Sequence, residues 1–371
     1  MSNPKARAIA IYLPQYYPIP ENDAVWGKGY TEWICTAKAK PLFKGHYQPR
    51  IPADLGFYDL RVPETRLAQA ELAKSAGIEG FMYWHYWFGN GKRLLERPFD
   101  EVLSSGQPDF PFCLGWANHS WKTSTWKALG HFHPKNNMIV EQLYPGDEDI
   151  VAHFNNVLPA FKDKRYITVD GKPLFVVYAP MDVPNFGHFK EIWNSMAIDN
   201  GLKGVHFVGL TSCEEAKYTE VLNAGYDSIN PGYQWHAETI VQGKLVKYGI
   251  NVLREKLDDR FIPLAKYNYK DIIKYLSSDL DRREDVFPAL IPQWDRSPRS
   301  GRRAIIYYGS TPELFERHIN DVLEKIKDKP MDKRIVFVRS WNEWGEGNYV
   351  EPDQRFGTGY LDALKNALCG E

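Results

Sequence analysis

Short apolar runs alternate with amphipathic stretches along the whole 371-residue chain. The runs are rich in valine, isoleucine and aromatic residues, a composition that favours buried β-strands. They predict eight strands: Ala8–Leu13, Gly80–Trp84, Phe112–Trp116, Leu174–Tyr178, Val205–Leu210, Ser228–Asn230, Val286–Pro292 and Ile335–Val338.

The stretches between these strands place their apolar residues near one face of a helix. In Pro63–Ala76, Leu67, Ala70 and Ala73 lie near one face, and Gly77 supplies a helix stop. The same pattern predicts seven more helices: Arg97–Ser105, Asp147–Phe161, Phe189–Asn200, Cys213–Asn223, Tyr269–Leu280, Pro312–Ile326 and Gly359–Leu368.

Eight strand–helix repeats predict an α/β protein with a single (β/α)8 TIM barrel and long loops after its strands. A doubly wound sheet is the rival fold, but it would carry a Gly-rich turn after the first strand, where this chain reads Leu13-Pro14-Gln15-Tyr16-Tyr17-Pro18. No linker divides the chain, so residues 1–371 are predicted to form one catalytic domain. The long aromatic connections Pro14–Pro52 and His119–Gly146 are expected to be functional.

The charge balance argues against a polyanionic partner. Lys plus Arg number 46 and Asp plus Glu 47, so neither nucleic acid nor a membrane surface is predicted to bind. The 12 Trp and 22 Tyr residues favour a carbohydrate ligand, although a large aromatic core would give the same composition. No apolar run approaches the ~20 residues that span a bilayer, and the first residues lead into a strand without a signal-peptide core. We therefore expect a cytoplasmic protein without membrane insertion.

Metal-binding patterns are missing from the sequence. The four cysteines are scattered, and neither HExxH nor clustered histidine spacing occurs. Asp279-Leu280-Asp281 resembles the DxD motif of enzymes that use sugar nucleotides, but a solvated helix end explains it better. We expect no metal and no cofactor.

Two glutamates form the most informative candidate site. Glu343 and Glu346 follow the predicted strand Ile335–Val338 and lie between aromatic residues. Carboxyl groups move protons at sugar rings, and aromatic side chains stack on the rings' C–H faces. The alternative is an exposed acidic loop, which is disfavoured because Trp341 and Trp344 are costly to leave in water.

Aromatic and polar residues follow other predicted strands at equivalent positions, and we expect them to converge on one barrel mouth. His85 is more often structural than catalytic, and Asp295 either binds substrate or pairs with Arg296 or Arg299. The predicted substrate-binding residues are Tyr12, Trp33, Tyr83, Trp84, His85, Trp116, Asn118, Trp294, Asp295, Trp341, Asn342 and Trp344.

Several longer motifs resemble the WbsX-type family, whose members contain a domain like glycoside hydrolase family 99. The resemblance extends from about Arg7 to Leu368. Genes of this family often lie among O-antigen or other polysaccharide genes, and its glycosyltransferase label rests largely on that neighbourhood. The motifs are Gly29–Trp33, Gly45–Arg50, Ala53–Asp59, Tyr83–Phe88, Lys92–Pro98 and Trp341–Glu346.

Family 99 enzymes are retaining endo-α-mannosidases in which the substrate's 2-hydroxyl group displaces the leaving group through a 1,2-anhydro sugar. Their motif Asn-Glu-Trp-x-Glu-Gly is matched by Asn342–Gly347. The resemblance implies that Glu343 is the base that deprotonates the 2-hydroxyl group. It implies that Glu346 is the acid that protonates the leaving oxygen and later activates water. The acid then needs a pKa above that of the base.

One position departs from the family pattern. Many WbsX-type proteins read Trp-Ala-Asn-Glu-Asn-Trp where this chain has Trp116–Trp121, with His119 in place of the acid. We expect this change to shift the substrate or to weaken activity.

The leading expectation is a metal-independent retaining glycoside hydrolase. Its substrate would be an oligo- or polysaccharide with manno- or rhamno-configured linkages, taken from a bacterial surface glycan. One alternative is a glycosyltransferase of O-antigen or lipopolysaccharide biosynthesis, which would need a nucleotide or lipid-phosphate site. A third is a catalytically silent glycan-binding protein. The sequence predicts no particular oligomeric state.

Overall fold

The computed structural model describes residues 4–123, 137–257 and 261–370. Part of the predicted functional connection His119–Gly146, residues 124–136, lies outside this range. Within the described ranges, the main sheet contains eight parallel strands. They are β1 (Arg7–Tyr12), β2 (Gly80–Trp87), β3 (Phe112–Trp116), β4 (Lys172–Val177), β5 (His206–Ser212), β6 (Ser228–Gly232), β7 (Ala289–Leu290) and β8 (Ile335–Val338).

The strands are ordered β6-β5-β4-β3-β2-β1-β8-β7 across the sheet. The register pairs Ile9 with Gly80 on β2, and Ile9 with Phe337 on β8. β6 meets the segment before β7 through a parallel bridge between Ile229 and Val286, which nearly closes the sheet. The predicted (β/α)8 barrel is therefore confirmed, and the doubly wound alternative is excluded.

Helices follow the strands as expected for a barrel. α3 shows how the local sequence sets the ends of a helix. Pro63 occupies its first turn, where no backbone N–H is needed, and Gly77 follows its last turn with φ +78°. The helices are α1 (Pro20–Trp26), α2 (Glu32–Lys38), α3 (Pro63–Ser75), α4 (Arg97–Ser105), α5 (Asp147–Phe161), α6 (Phe186–Asp199), α7 (Glu215–Asn223), α8 (Gln234–Gln242), α9 (Lys244–Lys256), α10 (Tyr269–Ile272), α11 (Ser297–Ser300), α12 (Pro312–Ile326) and α13 (Gly359–Cys369).

The predicted helix Tyr269–Leu280 is wrong in its extent. After α10 the chain forms a 3₁₀ turn at Ile273–Tyr275 and another at Asp279–Arg282. Ser278 caps the second turn, and Asp281 accepts a hydrogen bond from the Ser278 backbone. Asp281 is fully buried and Asp279 is exposed, so the solvated end expected for Asp279–Asp281 is wrong for Asp281 and holds for Asp279.

A small sheet beside the barrel has its own apolar core. Its strands Ala265–Asn268, Ile305–Tyr308 and Trp294–Asp295 belong to the chain between β6 and β8. Tyr267, Tyr269 and Tyr307 are buried with residues of α8 and α10 in this core. The small sheet matters for function because Trp294–Asp295 lies at the barrel mouth.

Candidate active site

The loop after β8 is fixed to the end of β1 by hydrogen bonds. The Trp341 backbone N–H donates to the carbonyl oxygen of Ile11 at 2.7 Å. The Asn342 side chain accepts from the Leu13 N–H at 2.8 Å and donates to the Leu13 carbonyl oxygen at 3.0 Å. Tyr16 donates its hydroxyl proton to the Asn342 carbonyl oxygen. These contacts place the following glutamates at the C-terminal end of the barrel.

Two buried tryptophans anchor the same loop in the protein core. Trp341 and Trp344 are fully buried, and Trp344 stacks on Tyr349 with ring centroids 3.6 Å apart. The Trp344 Nε1–H donates to Glu351 at 2.7 Å, and Glu351 also accepts from Tyr58 at 2.8 Å. The alternative of an exposed acidic loop is therefore wrong.

A 3₁₀ turn at Trp344–Glu346 brings both glutamates to one cavity. This cavity, called here the catalytic cavity, has a volume of about 190 Å³. Of the residues predicted from sequence, Glu343, Glu346, Trp84 and Trp294 line it. Two carboxyl groups therefore share a cleft with two half-buried indole rings, as expected for a sugar site.

Arg299 of α11 joins the two glutamates. Its guanidinium group donates to Glu343 Oε1, and its Nη1 donates to Glu346 Oε1 at 2.8 Å. The same group binds fully buried Glu32 of α2, with Nε at 3.1 Å from Oε2 and Nη2 at 3.0 Å from Oε1. Arg296 adds a second cation at 3.1 Å from Glu346 Oε1. Arg299 therefore holds the two carboxyl groups close together at one cavity.

Gly345 is required by this network. A Cβ atom at this position would overlap Glu32 Oε2 and would lie 2.9 Å from Arg299 Nε. The glycine between the two glutamates therefore lets the Glu32–Arg299 ion pair approach the loop backbone.

The two glutamates differ in their electrostatic surroundings. Burial raises the pKa of Glu343 to about 7, against the opposing effect of Arg299. Burial acts on Glu346 in the same direction, but Arg296 and Arg299 outweigh it and hold the pKa of Glu346 below its ordinary value. Glu343 shares its guanidinium with two other carboxylates, whereas Glu346 contacts two arginines. The resulting order is opposite to the one required by the roles that the family resemblance implies.

Several cavity residues were missed by the sequence reasoning. Arg299, Arg296 and Arg339 lie on the cavity wall, and Glu32 lies behind it. Arg296 and Arg299 were considered only as partners of Asp295, although their position after the seventh strand could have predicted a place at the mouth. His119, which replaces the family's acid, also lines the cavity, and burial lowers the pKa of its imidazole.

Tyr12 and Tyr83, predicted from the sequence to bind substrate, do not line the catalytic cavity, because their side chains lie on the other face of their strands. Neighbouring residues of a strand point to opposite faces, and Ile11, Leu13 and Trp84 are the ones that line the catalytic cavity. Tyr12 instead donates to Gln69 of α3 at 2.7 Å.

Other predicted substrate-binding residues also lie off the cavity and act as supports. Asn118 binds both the N–H and the carbonyl group of Ala179, each at 2.8 Å, and so fixes the loop after β4. Trp116 donates to the Trp87 carbonyl oxygen at 2.9 Å. The predicted residues that do not line the catalytic cavity are Tyr12, Trp33, Tyr83, His85, Trp116, Asn118, Asp295, Trp341, Asn342 and Trp344.

His85 and Asp295 both have structural partners. His85 Nε2 lies 2.9 Å from His153 Nε2, and burial lowers the pKa of His85 to about 3. Asp295 contacts His46 at 2.8 Å and Gln48 at 2.7 Å, not Arg296 or Arg299 as suggested from sequence. Despite burial, the hydrogen bond from His46 and the charge of Arg50 lower the pKa of Asp295 to about 2.

Two further features concern the described residues alone. Within them, no group of three or more His, Cys, Asp or Glu side chains is arranged to hold a metal ion. None of the helices described combines the length and apolar character that crossing a bilayer demands. Activity without a metal stays a prediction.

Comparison with known proteins places this barrel and its glutamate loop in a family. The family model described as "Glycosyltransferase WbsX" matches residues 8–364, so the chain belongs to the WbsX family. The uncharacterized protein WxcX of Xanthomonas campestris pv. campestris strain B100 is 33% identical over 367 residues. That alignment covers 98% of this chain and 50% of WxcX, so the chain spans about half the length of its curated relatives.

Solved structures share the fold. The GH99 endo-α-mannosidase of Bacteroides thetaiotaomicron in complex with bis-tris-propane superimposes with a TM-score of 0.58 at 13% identity, covering 97% of this chain and 95% of that one. A structure described as a glycoside hydrolase-like protein gives the same TM-score at 14% identity, covering 99% and 95%. At these identities the likeness establishes the (β/α)8 fold alone.

Proposed function

We propose that this protein is a retaining glycoside hydrolase that cleaves manno- or rhamno-configured linkages of a bacterial surface glycan. The observation that carries the proposal is the pair Glu343 and Glu346 at one cavity with the indoles of Trp84 and Trp294. An acid and a base at one sugar-sized cleft are the groups that glycoside hydrolysis needs. The shared fold with a GH99 endo-α-mannosidase supports the same reaction class.

In the proposed reaction, Glu343 removes the proton of the substrate's 2-hydroxyl group, whose oxygen then attacks the anomeric carbon. The bond to the leaving oxygen breaks, and Glu346 gives that oxygen a proton. Water then attacks the anomeric carbon and gives a proton to Glu346, while the bond from that carbon to the 2-oxygen breaks and Glu343 returns its proton to the 2-oxygen. Since both carboxyl groups bind Arg299, the loss of a proton from one of them changes the proton affinity of the other.

Substitution of each glutamate tests the proposal. Glu343→Gln and Glu346→Gln should each lower turnover of a cleaved glycan by about 100-fold or more, because each removes a positioned acid or base. The exposed Glu71→Gln variant serves as the matched control and should retain full turnover. Wild-type turnover in either glutamine variant would remove the pair from the mechanism.

An activated leaving group separates the two roles, because it departs without a proton. The first step of Glu346→Gln should recover on such a substrate, whereas that of Glu343→Gln should stay slow. Recovery of Glu343→Gln alone would exchange the two roles and would match the pKa order of the free site. A 2-deoxy substrate should resist the wild-type enzyme. Its cleavage at the parent rate would refute the anhydro route.

A glycosyltransferase is the second candidate, and the arginines of the catalytic cavity favour it. Arg296, Arg299 and Arg339 line the wall beside Glu346, and guanidinium groups suit the oxygens of a diphosphate leaving group. Among described residues, no carboxylate lies within 4.0 Å of the Arg339 side chain. Incubation with nucleoside-diphosphate sugars and the host glycan tests this candidate: release of nucleoside diphosphate with extension of the glycan would establish transfer. Cleavage that needs no nucleotide sugar would establish hydrolysis, and neither activity would favour a silent glycan-binding protein.

A further inference from the structure

A second cavity lies on the other face of the strand that borders the catalytic cavity. Trp294 and Arg296 line the catalytic cavity, whereas the alternating residues Gln293 and Asp295 line the second one. The second cavity has a volume of about 290 Å³, enough for a sugar residue. We call it the basic cavity, and its further walls come from residues 43–47, 306–310 and 355–356.

One part of the lining of the basic cavity places a cation over two aromatic rings. The Lys266 ammonium group lies 4.7 Å from the ring centroid of Phe43 and 5.9 Å from that of Tyr308. Phe43 and Tyr308 pack edge to face at 6.0 Å. These contacts hold an exposed lysine over apolar surface while its charge stays accessible to solvent.

A second part of the lining repeats this arrangement. The Arg355 guanidinium carbon lies 4.9 Å from the ring centroid of Tyr47 and 5.0 Å from that of Phe356. Arg355 is exposed, and its neighbour Asp353 is engaged by the backbone N–H groups of Arg355 and Phe356 and by the Tyr349 hydroxyl. In both groups a cation lies over aromatic rings, and Phe43 also stacks on His46 with ring centroids 4.5 Å apart. Tyr308 is the most exposed of these rings, with 38% of its surface accessible.

The charges of the basic cavity do not balance. Asp295 is the carboxylate on its lining, and it is engaged by His46, Gln48 and Arg50. The lining also contains four cations, and within the described ranges three of these, Lys44, Lys266 and Arg355, have no carboxylate within 4.0 Å. A cavity with an excess of accessible cations attracts an anion.

We propose that the basic cavity binds an acidic sugar residue of a glycan, with its ring against the exposed Tyr308 and its carboxylate or phosphate group at Lys266 and Arg355. Aromatic faces suit the C–H faces of a sugar, and the two cations suit its negative group. The proposal goes beyond the proposed hydrolysis and adds a second contact site on a glycan chain, separated from the glutamates by the strand at Trp294–Asp295.

Direct titration tests this proposal without requiring catalysis. The protein is the full chain with Glu346→Gln, so that no probe is cleaved, and calorimetry measures binding of tri-galacturonic acid and of neutral galactotriose. The acidic trimer should bind at least tenfold more tightly than the neutral one, and its affinity should fall as salt rises. Equal affinities, or no binding of the acidic trimer, would overturn the proposal.

Variants locate the binding. Lys266→Ala and Arg355→Ala should each weaken binding of the acidic trimer at least fivefold, and folding should be unchanged because both side chains are exposed. Lys270→Ala, an exposed lysine of α10 outside the cavity lining, is the matched control and should bind normally. Unchanged binding in the Lys266→Ala/Arg355→Ala double variant would place the trimer elsewhere and refute the assignment.

Two further probes define the ligand class. Inorganic phosphate and uridine diphosphate should each bind the basic cavity at least tenfold more weakly than the acidic trimer. If either binds as tightly as the trimer, and loses binding in the double variant, the cavity is an anion or nucleotide site and the sugar assignment is wrong. A protein that binds the acidic trimer but hydrolyses no glycan would contradict the proposed hydrolase and leave this inference standing.

Discussion

The raised pKa of Glu343 makes a prediction that needs no substrate. Burial raises this pKa from 4.5 to about 7. Between these two pH values the folded protein therefore holds a proton on Glu343 that the unfolded chain has lost. This contribution to stability is fully present below pH 4.5 and is lost as the pH rises through 7. Each pKa unit corresponds to about 1.4 kcal/mol, so the loss amounts to roughly 3 kcal/mol by pH 8.

The Glu343→Gln variant removes this titration and keeps an oxygen that can accept from Arg299. At pH 4 it should resemble the wild-type protein, whose Glu343 is then protonated and equally neutral. By pH 8 its free energy of unfolding should exceed that of the wild-type protein by roughly 3 kcal/mol more than at pH 4. Effects of groups outside the Arg299 network, such as the buried Glu351, act on both proteins and largely cancel in the difference. Glu32 and Glu346 share Arg299 with Glu343, so any change in their titration is part of the measured difference.

Urea unfolding between pH 4 and pH 8, followed by tryptophan fluorescence and far-ultraviolet circular dichroism, measures this difference. Coincident transitions by the two probes are needed before free energies are compared. Glu71→Gln, at an exposed helix position, is the matched control and should follow the wild-type curve. If Glu343→Gln follows it too, Glu343 is ionised at ordinary pH and the reasoning from burial fails.

Three further predictions concern the same cavity. Arg299→Gln should destabilise the protein by about 3–5 kcal/mol at pH 8, because it leaves buried carboxylates without their cation, and by less at pH 5, where they can take up protons; urea unfolding at both pH values checks this. Trp84→Ala should raise KM for a cleaved glycan at least tenfold through the lost ring face, whereas Trp84→Phe should lose less, as steady-state kinetics would reveal. Glycan cleavage should continue in excess EDTA, and complete loss that manganese or magnesium restores would favour the glycosyltransferase.

The sequence by itself determined the barrel and the place of the candidate site at its mouth. Apolar runs that alternate with amphipathic helices predict the strands of a barrel even when the ends of each strand are uncertain by a few residues. The C-terminal ends of these parallel strands all lie at one mouth of the barrel. Glu343 and Glu346 follow such an end directly, so their convergence could be predicted from local pattern alone. The resemblance to the WbsX family rested on the same short segments.

Only the tertiary structure decided which neighbours these glutamates have. Arg299 and Glu32 are 267 residues apart in sequence, and no local pattern pairs them. Their ion pair, the burial of the site and the second cation at Glu346 set the two pKa values in opposite directions. The sequence also left undecided which face of the sheet each strand side chain occupies. A shift of one residue moves a side chain from the barrel interior to the helix layer, which is where Tyr12 and Tyr83 lie. Side-chain chemistry can be recognised along a chain, but its electrostatic setting depends on distances that the fold alone supplies.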